Sequence, residues 1–389
     1  MKQGATLVDA LALASATVDD LLVATTRDTH LAIARRTHGL LRRGLGPAGQ
    51  PVQALHEGIA SLVYAAVGGT LRGTSIGLGA LAASRRGPRL EEGRRGRALS
   101  SAVNGLIGEE LRQDRPELAI EMAVRQHGGD VPVTATALDA AFPEASGQVV
   151  VFLHGLCENE EHWDRHRDRV GSTYGQMLTE RGWTPVFLRA NTGLPLRENG
   201  VALACLMQQL VEAWPVEVTR IALVGHSLGG LVMRAAASVV TDGAAPSPWT
   251  ERVSEVITLG TPHLGSWFAL SADHASRVLA RAPEVAAFGR IIDRQAPGIH
   301  DLIEGLAHDV PALPHANYRL VSASLTSSAQ HPVAAMVGDL LVTPRSATGR
   351  DARGTDLFPG AETLHVGRTD HFGLLNHPDV HTALQRWLS

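Results

Sequence analysis

Lysine is almost missing from this chain: Lys2 is the only one, and every other basic side chain is arginine. The bias runs the whole length and reads as composition rather than chemistry. Cysteine is scarce, with Cys157 and Cys205 alone. Their spacing excludes a cysteine-type metal site, so free buried thiols are the default, with one disulfide left open. No uninterrupted apolar run reaches the ~18 residues of a membrane-spanning helix. Asp9, Asp19 and Asp20 break every apolar run near the start, and no small-residue cleavage site follows, which is not the form of a signal peptide. A cytoplasmic protein is the simplest expectation. Neither charge sign is in excess: 35 Lys and Arg face 39 Asp and Glu, a formal net charge of -4. That balance offers nucleic acid no basic surface. No acidic cluster spells a calcium loop, and no metal or cofactor is expected. What the chain does have is length and apolar content, 389 residues of which 44% are hydrophobic. That is enough for a large core and suggests two domains.

Residues 1–130 read as an all-helical N-terminal region of unknown role. Leu7, Leu11, Ala14, Val18, Leu21 and Leu22 recur at helical spacing. Ala54 to Ser84 is apolar, rich in small residues and broken at Gly68-Gly69 and Arg72-Gly73. A helical hairpin packed through Gly and Ala is the plain reading. With the arginine-rich run Arg85 to Arg97 behind it, peripheral contact of 54–97 with a membrane or lipid is the alternative. Further helices are expected over Ser100 to Leu111 and Pro116 to Gln126.

Strand patterns begin at Val131, where Val131 to Leu138 alternates weakly. Gln148 to Leu153 (QVVVFL) is a continuous apolar run of the kind buried on both faces of a parallel sheet. Further strands are expected at Thr184 to Leu188, Arg220 to Val224, Val253 to Leu259, Tyr318 to Ala323 and Thr363 to Val366. Helices alternate with them at Tyr174 to Arg181, Arg197 to Trp214, Leu231 to Val240 and Val380 to Leu388. Strand–helix alternation means α/β, a mostly parallel sheet flanked by helices, here over residues 131–389.

Between one strand and one helix lies Gly225-His226-Ser227-Leu228-Gly229-Gly230. Strand, Gly-x-Ser-x-Gly and helix together form a nucleophile elbow, with the serine hydroxyl raised above the sheet. Gly225 and Gly229 fit because strand and helix approach too closely there for a Cβ. The first N–H groups of the helix point at any oxyanion formed beside Ser227.

LVGHSLGGLV at the elbow, VVVFLHGL upstream, TLGTPHLGS downstream, and GDLLVTPRSA with GRTDHFGLLNHPDV near the end resemble the α/β-hydrolase superfamily, bacterial lipase and esterase branch. The resemblance covers roughly 130–389. It implies an α/β-hydrolase fold and a serine hydrolase of carboxylic esters that forms an acyl-enzyme on Ser227. It implies His371 as base, following the last strand and preceding the last helix, ahead of His377. It implies Asp339 as orienting acid, ahead of Asp370, Asp351 and Asp356, although the family often has glycine where this chain has Leu340. The oxyanion hole falls to the backbone N–H groups of Leu156 and Leu228, with Cys157 as fallback. His154 is expected to be structural, and His226, beside the nucleophile, to point away from it. A small ester or lipid-like molecule is the expected substrate, with His263, Leu264, Trp267 and Phe268 beside it. Residues 266–314 are long for a connection and have helical spacing, which suits a cap over the site, with plain core packing as the alternative. Trp163 and the loop Glu158 to Asp168 are expected at the opposite rim. An acyltransferase or amide hydrolase on the same triad, a storage-polyester depolymerase, and a non-catalytic membrane- or partner-binding protein are the competing readings. Oligomeric state and acyl chain length are not written in these motifs.

Overall fold

The computed structural model describes residues 90–240, 247–265 and 310–389, less 332–333, 336–337, 352–353 and 355, together with 297, 301 and 305–306. The N-terminal region to residue 89, the apolar stretch 54–84 and most of the cap-like segment 266–314 therefore lie outside the described residues. The chain divides into two compact units. Residues 100–269 with 296–389 hold the sheet and everything argued below. Of the other unit, the described part is a short turn, Leu90–Glu92, and the first residues of helix α1, Arg94–Asp114.

Among the described residues, eight strands form one sheet: β1 Ala123–Gln126, β2 Gly129–Val131, β3 Gln148–Leu153, β4 Thr184–Arg189, β5 Arg220–His226, β6 Val253–Leu259, β7 Asn317–Ser324 and β8 Glu362–Gly367. Their order is β2-β1-β4-β3-β5-β6-β7-β8. β1 runs antiparallel to β2 and β4, and the remaining pairs are parallel. Val151 of β3 sits between Val186 of β4 and Leu223 of β5. The apolar runs stand where both faces are covered. Because successive side chains alternate faces, Val149, Val151 and Leu153 join one core and Val150 and Phe152 the other. The first core is closed by helices α3 Leu196–Ala213 and α4 Leu228–Ala237, through Leu203, Met207, Leu210 and Leu231. The second is closed by α2 Tyr174–Thr179 and, after the short α5 Pro344–Ala347 in the chain, by α6 Pro378–Trp387, through Tyr174, Leu178, Leu384 and Trp387.

Two expected elements are different. Pro116 to Gln126 is not helical at all: a turn at 116–118 leads into extended chain, and Ala123–Gln126 is a strand joined to Gly129–Val131 by a two-residue hairpin. The turn residues His127 and Gly128 both have positive φ, 51° and 77°, as the tight hairpin turn that matches strand twist requires. Val131 to Leu138 is a strand only at Val131. Pro132 has no N–H to donate to a ladder, and Thr134 caps a helix, Ala135–Ala141. Cys157 and Cys205 are free, and Cys205 is exposed rather than buried.

Candidate active site

The elbow brings β5 into α4 through Ser227, whose φ of 52° and ψ of -123° are strained for a residue with a Cβ. The crossing is tight. A Cβ on Gly225 would come 2.5 Å from the Gly230 nitrogen, and one on Gly229 2.3 Å from the Leu153 carbonyl oxygen. The Ser227 N–H donates to the Leu259 carbonyl at 2.9 Å, which ties the elbow to the end of β6. Leu228 opens α4, so its N–H has no partner within the helix.

His371 follows β8. The Thr369 N–H donates to the Ser324 carbonyl at 2.9 Å and folds its loop back to the end of β7, and the Leu325 N–H donates to the Gly338 carbonyl at 3.1 Å and brings the Asp339 turn to the same strand end. Asp339 then meets His371 twice. The His371 N–H donates to the Asp339 carbonyl at 3.0 Å, and Nδ1 lies 2.8 Å from Oδ2. The other carboxylate oxygen accepts from the N–H groups of Leu341 (3.0 Å) and Val342 (2.8 Å), which fixes the carboxylate on its own turn. Leu340, where the family often has glycine, has φ 89°, the region glycine favours. With Nδ1 donating to a carboxylate, Nε2 carries the lone pair. Nε2 is buried and has no hydrogen-bond partner among the described residues. Burial alone would lower the His371 imidazole; the charge and hydrogen bond of Asp339, helped by Glu158 and Asp370, outweigh it and raise the ring above its ordinary value. Gly260, at φ 60°, lets the ring lie close, since a Cβ there would stand 3.0 Å from His371 Cε1.

The rival carboxylates are employed elsewhere. Asp370 accepts the Gly373 N–H at 2.7 Å, and Asp356 pairs with exposed Arg350. His377 caps α6, its Nδ1 accepting the Asp379 N–H at 3.2 Å. Of the N–H groups after β3, that of Gly155 donates to Glu158 at 2.8 Å and that of Cys157 to Thr192 Oγ1 at 3.1 Å. Cys157 is thereby committed, and Leu156 stands between them. A Cβ on Gly155 would come 2.9 Å from Ser227 Cβ, so this turn presses on the serine. Burial pushes the Cys157 thiol up to about 12, far from a thiolate nucleophile.

His154 pins strand ends: Nε2 accepts the Ala190 N–H at 3.1 Å and Nδ1 donates to the Gly155 carbonyl at 2.9 Å. Burial holds it down at about 4, neutral as both bonds require. His263 is placed in the core rather than at a rim. Its nitrogens meet Thr258 Oγ1 at 3.1 Å and the Arg234 guanidinium at 3.4 Å, and its ring stands edge-on to Phe358. Burial, then the Arg234 charge, keeps it well below its ordinary value. Trp163 is also core, edge-on to Phe152 at 4.9 Å. Leu264 is half-buried beside Ser346, whose Oγ accepts its N–H at 3.2 Å. Trp267 and Phe268 lie outside the described residues.

One residue of the loop expected at the opposite rim is buried instead. Glu158, 4% exposed, accepts from the Gly155 N–H and stands 3.0 Å from His226 Nδ1. Burial would raise its carboxyl, but the His226 charge and hydrogen bond hold it at about 2.

A parallel sheet with this strand order and an antiparallel edge, a serine elbow after β5, an aspartate after β7 and a histidine after β8 make one pattern. The family described as "Putative serine esterase (DUF676)" matches residues 144–282, which span β3 to beyond β6. The strand order and the strand–elbow–helix crossing are those of the α/β-hydrolase fold. Solved structures similar to this chain include the Bacillus licheniformis lipase BlEst2. In mature form it is 19% identical, with 62% of this chain and 92% of that one covered and a TM-score of 0.41. In propeptide form it is 20% identical, with 63% and 50% covered and a TM-score of 0.45. The Staphylococcus hyicus lipase is 13% identical, with 62% and 96% covered and a TM-score of 0.39. No curated protein matches the sequence. Among the described residues, no helix is long and apolar enough to cross a membrane.

Proposed function

We propose that this chain is a serine hydrolase of carboxylic esters, lipase- or esterase-like, with Ser227 as nucleophile, His371 as base and Asp339 as orienting acid. The observation that carries the reading is His371 itself. Its Nδ1 is held by Asp339 at 2.8 Å and its Nε2 is buried and unpartnered, at the same sheet edge as a strained serine elbow. A free imidazole lone pair kept dry near a strained serine is what proton abstraction from a hydroxyl needs.

The reaction then runs as follows. Nε2 takes the Ser227 proton as Oγ attacks the ester carbonyl. The N–H groups of Leu156 and Leu228 receive the oxyanion. The imidazolium, stabilised by Asp339, gives its proton to the departing alcohol, and the acyl group stays on Ser227. Water, deprotonated by His371, releases the acid.

The test is hydrolysis of p-nitrophenyl esters from acetate to palmitate by wild type and Ser227→Ala. Loss of one triad member is expected to cost several orders of magnitude in kcat, and the chain-length optimum reports pocket depth. Equal rates for the two proteins would remove Ser227 from the chemistry. A folded wild type inert on every ester but active on amides or with an alcohol acceptor would assign the triad to amide hydrolysis or acyl transfer.

A further inference from the structure

Glu158 and His226 are not members of the triad, yet they join its parts. Glu158 lies in the turn after β3, His226 is the last residue of β5, and His371 follows β8. One carboxylate oxygen, Glu158 Oε2, accepts from the Gly155 N–H at 2.8 Å and faces His226 Nδ1 at 3.0 Å. On the other side of the ring, His226 Nε2 lies 3.3 Å from the backbone carbonyl of His371. His226 is fully buried and Glu158 is 4% exposed. The rings of His226 and His371 are 4.8 Å apart, and Trp163 and Phe372 close the surroundings at 6.4 and 6.2 Å.

A ring flanked by two acceptors satisfies both only when both its nitrogens carry protons. The carboxylate of Glu158 supplies the countercharge for that state in a dry site. A buried ion pair of this kind is weak evidence for stability, because an apolar pair of the same volume often serves as well. Its placement points to another use. We propose that Glu158 and His226 are positioning residues, a charged clasp that holds the oxyanion turn at Gly155-Leu156 and the His371 loop in register on either side of Ser227. The inference rests on the triad reading. Glu158 fixes the N–H that precedes Leu156, and His226 fixes the main chain of the base. Each contact sets an orientation that the chemistry uses and substrate binding does not.

The test compares wild type with Glu158→Gln and with the apolar pair Glu158→Leu/His226→Phe. Gln keeps the shape and an acceptor oxygen but removes the charge, leaving His226 one proton for two acceptors. Readouts are kcat and KM on a soluble p-nitrophenyl ester, the rate of fluorophosphonate labelling, Tm, and the ring-nitrogen NMR signals of His226. Expected for Glu158→Gln is a kcat lower by about tenfold to a hundredfold, the scale of sub-ångström to 1 Å misplacement, with KM within about twofold. With an acceptor on each side of the ring, both His226 nitrogens are expected to carry protons in wild type, and in Glu158→Gln only one. The apolar pair is expected to keep or raise Tm while losing kcat and labelling rate. Wild-type kcat in either folded variant would overturn the proposal. So would a Glu158→Gln whose KM and Tm fall in step with kcat, or a singly protonated His226 in wild type. A wild type that neither turns over nor labels defeats the triad reading and takes the clasp's catalytic role with it; wild-type activity with unaffected variants defeats the clasp alone.

Discussion

Asp339 grips His371 by main chain and side chain at once, so removing its charge leaves the loop in place. Asp339→Asn should therefore fold, with the carbonyl contact of 3.0 Å intact, and lose about 10⁴ in kcat, as a triad does when its base is held in the wrong tautomer. The pH profile supplies the sign. The base works unprotonated, and Asp339 raises the His371 imidazole. Activity of wild type should rise with pH through an acid limb above the ordinary histidine value. In Asp339→Asn the residual activity should keep an acid limb at lower pH, measured as kcat/KM against pH. An unmoved limb would mean that another group is titrating. These two residues were legible in the sequence because chain order and neighbouring motifs select them. Leu340 looked like a departure from the family and proves to hold a φ of 89° on the turn that presents Asp339. Glu158 was not legible. Its role depends on the turn after β3 folding back toward the end of β5, and no spacing along the chain records that approach. His263 and Trp163 look like rim residues by their place beside motifs, yet both are buried, His263 with its ring nitrogens against Thr258 and Arg234 and Trp163 edge-on to Phe152.

At the scale of elements, the elbow stores the tightest packing. A Cβ on Gly225 would meet Gly230 backbone atoms at 2.5 and 2.6 Å, and backbone cannot swing aside as a flexible side chain can. Gly225→Ala should cost about 1–3 kcal/mol or more and lower Tm by several degrees, read by thermal melting. A melt matching wild type would mean that the helix approaches the strand less closely. The central strands were legible because burial on both faces demands uninterrupted apolar runs, which QVVVFL and its neighbours supply. β1 and β2 were not. Four residues of β1 carry a half-buried Ala, a buried Val, the buried Arg125 and Gln126, with no periodicity long enough to count. Arg125 is held by Glu160 at 2.8 Å and by Asp130, so a charged residue on a strand is part of the packing.

Across the whole molecule, the sheet starts before the expected domain boundary at 131. β1 pairs with β4 through Val124 and Leu188, and Leu118, Ile120 and Val124 are buried. A chain begun at residue 131 would lose β1 and β2 and expose the side of β4. At about 1.5–3 kcal/mol for each large buried apolar side chain, that loss rivals the net stability of a domain. Such a truncation should be insoluble or unfolded by circular dichroism. A folded, cooperative melt from it would show that β1 and β2 are dispensable. Residues 1–89 and 266–296 carry the rest of what the sequence proposed, a helical region and a cap, and they lie outside the described residues.

Everything rests on Ser227 being a nucleophile that His371 activates. The most direct measurement is covalent labelling of the full chain by a fluorophosphonate, with the modified peptide located by mass spectrometry. Wild type should carry one adduct, on Ser227, and Ser227→Ala none, while His371→Ala should label slower by orders of magnitude despite an intact serine. A folded wild type that takes no label, or labels at another residue, would contradict the account.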